Sequence, residues 1–112
     1  EGYKLLRRDS FNTVLPLVKY STPIQRALKF KGQKIVLSDD SYINKRSQDL
    51  EEKFYDAGQF YWIQTESFLK EKKIFSKNSG AIILSEFESQ DIDNEIDWKM
   101  AEIKFKFKKG IL

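Results

Sequence analysis

The chain has 112 residues, with 20 Lys+Arg against 17 Asp+Glu and a formal net charge of +3, a length that suits one small domain and excludes a whole two-domain enzyme. It contains no Cys and no His, which removes disulfide frameworks, thiol nucleophiles, zinc–thiolate sites, imidazole bases and Ser-His-Asp triads together. Any chemistry falls to carboxylates, Lys, Arg, Tyr, amides and a hard metal ion.

Nine Phe, five Tyr and two Trp make 14% of the chain, a share of large apolar side chains that argues against disorder. No apolar run approaches the roughly 20 residues of a membrane span, and the start lacks a signal-peptide pattern. The reading is a cytoplasmic chain with no membrane partner. It opens Glu1-Gly2-Tyr3 without methionine, in what reads as mid-helix, so a fragment is expected. Charge is segregated rather than uniformly basic. Residues 98–112 carry Lys99, Lys104, Lys106, Lys108 and Lys109 against Glu102 alone. Residues 86–97 hold Glu86, Glu88, Asp91, Asp93, Glu95 and Asp97 and no base. An acidic cluster followed by a basic helix end is not a nucleic-acid surface, so no nucleic-acid partner is expected.

In chain order, residues 1–8 read as the end of an amphipathic helix, with Tyr3, Leu5 and Leu6 apolar and Lys4, Arg7 and Arg8 outward. Asp9-Ser10 breaks it. Thr13-Val14-Leu15-Pro16-Leu17-Val18 is a short apolar run, most simply a buried strand, which Pro16 would place at an edge or bulge. Residues 24–37 spell a hairpin. Ile24, Arg26, Leu28 and Phe30 fall on one face, with Gln25, Ala27, Lys29 and Lys31 on the other. Gly32 supplies the turn and Ile35-Val36-Leu37 returns. Such a hairpin is either a solvent-facing ribbon or a dimerisation arm, and the residues leave both open. Residues 38–56 are polar and irregular, with one helical turn at 48–53.

Gln59 to Ile63 reads as an aromatic strand, Thr65–Glu71 as a short helix capped by Thr65, and Ala81-Ile82-Ile83-Leu84 as a buried strand. Asn94 caps a last helix, with Glu95 and Asp97 in its first turn. Ile96, Met100, Ile103 and Phe107 recur at spacings of four, three and four, which predicts one packed face. Strands alternating with helices give an α/β class, with residues 1–112 as a single domain or fragment.

Three segments could carry chemistry. The five glycines (2, 32, 58, 80, 110) stand too far apart for a phosphate-cradling loop, so anything that grips a nucleotide triphosphate lies elsewhere. In Gln90-Asp91-Ile92-Asp93, extended backbone would put Asp91 and Asp93 on one face and turn Ile92 back into the core. Two hard oxygen ligands on one face suit Mg²⁺; the plainer reading is a pair of solvated acids ahead of a helix N-terminus, where negative charge is favourable. In Asp56-Ala57-Gly58-Gln59-Phe60-Tyr61-Trp62, Gln59 and Tyr61 would share a strand face above an aromatic floor, able to bind a polyhydroxy ligand, unless the aromatics simply pack. Arg46, in Lys45-Arg46-Ser47-Gln48-Asp49-Leu50, could grip a carboxylate through two parallel bonds or stand solvated.

Taken together these segments resemble the C-terminal half of the cytidylyltransferases that make CMP-activated nonulosonic acids. The resemblance is closest to the bacterial pseudaminic acid cytidylyltransferases, with the sialic acid (acylneuraminate) cytidylyltransferases as relatives. Pro23-Ile24-Gln25-Arg26-Ala27-Leu28, Arg46-Ser47-Gln48-Asp49-Leu50, Asp56 through Trp62, and Gln90-Asp91-Ile92-Asp93 occur in family order and spacing, over essentially the whole chain. The resemblance implies the C-terminal portion of a nucleotide-diphosphosugar-transferase-like α/β fold, a protruding hairpin arm and a homodimer. It also implies that the N-terminal CTP-binding half is absent.

By position, Asp91 and Asp93 would be Mg²⁺ ligands, Tyr61 a sugar contact beside Gln59, and Phe75 the aromatic on which an acetamido group rests. Arg46 would be a carboxylate-binding arginine contributed across the dimer, although its distance to Leu50 is one residue longer than in the sialic acid branch. Where that branch carries a carboxylate-binding lysine on the arm, this chain has Gln25-Arg26, which favours pseudaminate and puts Arg26 among the substrate-binding candidates. The implied reaction is attack of the sugar's anomeric hydroxyl on the α-phosphorus of CTP, with loss of pyrophosphate. The alternatives are a sialic acid cytidylyltransferase and a non-catalytic fragment that dimerises.

Overall fold

The computed structural model describes residues 1–111. In chain order the elements are α1 (Gly2–Arg8), β1 (Thr13–Lys19), β2 (Leu28–Lys31), β3 (Lys34–Leu37), β4 (Phe54–Asp56), β5 (Trp62–Ile63), α2 (Thr65–Glu71), β6 (Ser79–Leu84) and α3 (Glu95–Lys109). Single 3-10 turns sit at Ile24–Arg26, Asp40–Tyr42, Ser47–Asp49 and Glu86–Glu88. They form two compact units, one of Glu1–Val18 with the chain from Asp56 onward, the other of Lys19–Tyr55. None of the helices among the described residues is long and apolar enough to cross a membrane.

In the first unit β1 is the centre of a sheet, paired with β5 and β6. β6 runs parallel to it in the register Thr13↔Ser79 to Val18↔Leu84, whereas β5 is antiparallel, with Thr13↔Ile63 and Val14↔Trp62. The α/β class holds, with a mixed sheet. The apolar run of β1 is buried on both faces, so Val14, Leu15 and Val18 form the core with Leu6 of α1 and Ala57. Thr13 is buried too, its hydroxyl donating to the Ile74 carbonyl at 2.6 Å. Gly80 lets the Phe11 ring lie directly on the β6 backbone, where a Cβ would overlap it.

Pro16 is not at an edge. It lies in the central strand, opposite Ile82 of β6, and on the other side its carbonyl accepts the Ala57 N–H at 3.0 Å. The N–H and C=O of one strand residue point to the same side. The bond Pro16 cannot donate therefore falls on the side where β5 has ended and the returning chain has only begun to pair. A changeover between two partner segments makes room for proline within a sheet.

The aromatic strand is shorter than expected because the chain leaves β1 after Ala57, turns at Gly58 (φ 70) and rejoins only at Trp62. Gln64, not Thr65, caps α2, its side-chain oxygen accepting the Ser67 N–H at 2.8 Å. Asn94 does cap α3, accepting the Asp97 N–H at 2.9 Å. The face Ile96, Met100, Ile103, Phe107 is exposed rather than packed, and no residue of α3 is buried. Its main partner is the Glu86–Glu88 turn, where Phe107 stacks on Phe87 with ring centroids 4.6 Å apart. Periodicity says which face favours burial; this unit offers little surface to bury it.

In the second unit the hairpin begins at Leu28, not Ile24. Ile24–Arg26 forms a 3-10 turn, and the Ser38 N–H closes the hairpin base on the Ala27 carbonyl at 2.8 Å. The pairs Leu28↔Leu37 and Phe30↔Ile35 put four apolar side chains on one face. Gly32 (φ 67) precedes Gln33 in a two-residue turn of the II′ kind. That face stands open, with Phe30 78% exposed. Below it Gln25 is buried, donating to the Glu51 carbonyl at 2.9 Å, and Lys19 pairs with Glu52 at 2.9 Å.

Candidate functional site

The excursion between Ala57 and Trp62 is held by one carboxylate. Asp56 accepts the Gly58 N–H through Oδ1 at 2.8 Å and the Tyr61 hydroxyl through Oδ2. This hydrogen bond, then burial, then the carboxylate charge push the Tyr61 phenol above its ordinary pKa. Gln59 and Tyr61 are thus presented from a loop, not from a strand. Gln59 Nε2 donates to the Glu88 carbonyl at 2.8 Å and so ties that loop to the Glu86–Glu88 turn. Tyr61 lines an open hollow of about 490 Å³ with Glu1, Gly2, Phe60, Trp62, Ile82 and Leu84.

The turn so reached leads straight into the acidic segment. Ser85 and Glu88 cap each other, with the Ser85 N–H donating to the Glu88 carboxylate at 3.0 Å. Those backbone and side-chain hydrogen bonds, helped by the Lys108 charge, hold the Glu88 carboxyl below its ordinary pKa. Lys104 of α3 donates to the Ser89 carbonyl at 2.8 Å, and Gln90 to the Asp91 carbonyl at 2.9 Å. Asp97 accepts the Asp93 N–H at 2.9 Å, so its carboxylate serves the helix start. Asp91 and Asp93 themselves are exposed and, among the described residues, make no ion pair. Ile92 does not anchor them in the core: it is 46% exposed, because the segment is irregular and not a strand that alternates sides. Ile92, Asp93, Asn94, Glu95 and Trp98 border a second open hollow.

Asp91 and Asp93 are two exposed carboxylates in an irregular segment, not a pair set on one face of a strand. Among the described residues no group of three or more acids is gathered for a metal.

The remaining candidates lie apart in the sequence. In the second unit, Arg46 Nε pairs with Asp49 at 3.0 Å on the surface, and Arg26 Nη2 donates to the Lys45 carbonyl at 2.6 Å, so both guanidinium groups border the same stretch of backbone. Phe75, in the first unit, is exposed beside Asn12, Glu71, Lys73 and Asn78. Sequence reasoning missed Asp56 as the residue that holds Tyr61. The Asp-x-Gly spacing, an aspartate two residues before a turn glycine, is the signal that could have found it.

No family model matches the chain. Among curated proteins it is 28% identical over 107 residues to pseudaminic acid cytidylyltransferases of two Campylobacter jejuni strains, 81-176 and NCTC 11168; each match covers 95% of this chain and 46% of the relative. Over 49 residues it is 45% identical to a Helicobacter pylori protein described as a pseudaminic acid cytidylyltransferase and UDP-2,4-diacetamido-2,4,6-trideoxy-beta-L-altropyranose hydrolase, covering 44% of this chain and 10% of that one. The chain thus spans about half the length of the Campylobacter relatives. The similarity is a family-level relationship to nucleotidyltransferases of CMP-sugar synthesis.

Proposed function

We propose that this chain is the sugar- and metal-binding half of a CMP-nonulosonate cytidylyltransferase, with pseudaminic acid as the sugar. The observation that carries this reading is the similarity to pseudaminic acid cytidylyltransferases along 107 residues, 95% of the chain. The tie from Gln59 to the Glu88 carbonyl supports it, because it joins the loop bearing Tyr61 to the turn that leads to Asp91 and Asp93.

In this reading the sugar's anomeric hydroxyl attacks the α-phosphorus of CTP and pyrophosphate leaves. Asp91 and Asp93 would hold Mg²⁺, which when bound neutralises charge on the phosphoryl oxygens. Tyr61 and Gln59 contact the sugar, Phe75 supports an acyl group, and Arg26 and Arg46 serve its carboxylate. The Leu28, Phe30, Ile35, Leu37 face of the hairpin receives a second copy of the chain in a homodimer. The grip on the triphosphate belongs to the half of the enzyme that this chain does not match.

The test joins this chain to the unmatched half of a Campylobacter relative and measures synthesis of the CMP-sugar. Asp91→Asn and Asp93→Asn are each expected to lower kcat by about a hundredfold or more, since a charged metal ligand is lost, with melting temperature nearly unchanged. Excess Mg²⁺ should restore part of the rate. Near-normal kcat at low Mg²⁺ in both variants would remove the metal site, and a folded chimera that makes no CMP-sugar would remove the function.

A further inference from the structure

We propose that Asp56 is a positioning residue that fixes Tyr61 as a hydrogen-bond acceptor, so that the hollow beside Tyr61 selects ligands presenting a group that donates and cannot accept, such as an amide N–H. The proposal rests on the reading of Tyr61 as a ligand contact, and specifies its polarity.

An ionised carboxylate can only accept. With Asp56 Oδ2 facing the Tyr61 hydroxyl, the phenol proton has one place to lie, on the line between them. The phenol oxygen is left with its lone pairs toward anything else that approaches. Tyr61 is 38% exposed, so that oxygen belongs to a side chain a ligand can reach. The carboxylate cannot swing away freely, because its other oxygen is tied to the Gly58 N–H at 2.8 Å. The raised phenol pKa agrees with a proton shared toward a carboxylate. Phe60, Trp62, Ile82 and Leu84 give the hollow mostly apolar walls, with Glu1 at their border, and a ligand that presents an acceptor to the Tyr61 oxygen meets lone pairs.

Asp56→Asn is the decisive variant because it keeps the turn and reverses the polarity. The Asn oxygen can still accept from Gly58 N–H, while its amide donates to the phenol oxygen and turns the phenol proton outward. With ring-labelled tyrosine in the 112-residue chain, the Tyr61 resonance, identified with Tyr61→Phe, should titrate above the usual value of about 10 in wild type and fall back in Asp56→Asn. Pseudaminic acid, whose acylamido N–H can donate but not accept, should bind the same samples about tenfold more weakly in Asp56→Asn and in Tyr61→Phe, the loss of one hydrogen bond. Wild-type Tyr61 titrating normally, or equal affinity in wild type and Asp56→Asn, overturns the proposal. If Tyr61 responds to Asp56→Asn but wild type binds no pseudaminic acid, the sugar-site reading fails, and the ligand selectivity with it. Should Asp56→Asn unfold, Tyr61→Phe decides: unchanged affinity there refutes the acceptor role.

Discussion

Glu88 holds two parts of the candidate site through different atoms: its carboxylate closes the turn on Ser85, and its carbonyl receives Gln59. Because the folded state holds that carboxyl below its ordinary value of 4.5, its contribution is fully present above 4.5 and is lost as pH falls through the lower folded value. Acidification below about 4.5 should therefore loosen the turn first and the Gln59 tether with it. Amide exchange at Ser85 and Gln59 read against pH checks this, and Glu88→Gln, which cannot ionise, should flatten the dependence. Parallel profiles in wild type and variant would assign the transition to another group. Little of this was legible beforehand. The Asp-x-Gly spacing marks the turn at Asp56 but does not name Tyr61, five residues on, as its second partner, and Gln59 and Glu88 are brought together only by the tertiary fold.

Elements read well where their signal is local. The Asn94 cap, the apolar run of β1 and the Gly32 turn each depend on a few neighbouring residues, and each forms where expected. What the sequence misplaces depends on partners elsewhere. Pro16 suggests an edge until the changeover after β5 is known, and the stripe on α3 suggests a packed face until the surface available to it is counted. The hairpin has the same ambiguity, with an apolar face and nothing over it within its own unit. If that face receives a second copy, Leu28→Asp with Phe30→Asp should convert a dimer to a monomer, because the charges would be buried at the contact. Light scattering on both proteins decides, and a wild type that is already monomeric counts against the arm.

At the scale of the molecule, the first unit has a small core centred on β1 and leaves the apolar face of α3 uncovered, and the second leaves that of the hairpin uncovered, in a chain that spans 46% of the length of its Campylobacter relatives. The proposed activity accordingly requires more than these residues. No phosphate-cradling glycine loop occurs in the sequence, so the chain alone with CTP, Mg²⁺ and pseudaminic acid should release no pyrophosphate above a protein-free control; clear release would contradict the division of labour proposed here. One feature of the architecture makes the two halves of the candidate site separately visible. The chain has two tryptophans. Trp62 ends the loop that carries Tyr61, against the Tyr3 ring at 5.3 Å. Trp98 donates to Glu102 at 3.0 Å and borders the hollow beside Asp93. Replacing either one with phenylalanine leaves a single tryptophan, at the Tyr61 loop or at the acidic segment. A cation arriving at Asp93 and a sugar arriving at Tyr61 would then be recorded as separate optical signals, each from its own unlabelled single-tryptophan variant.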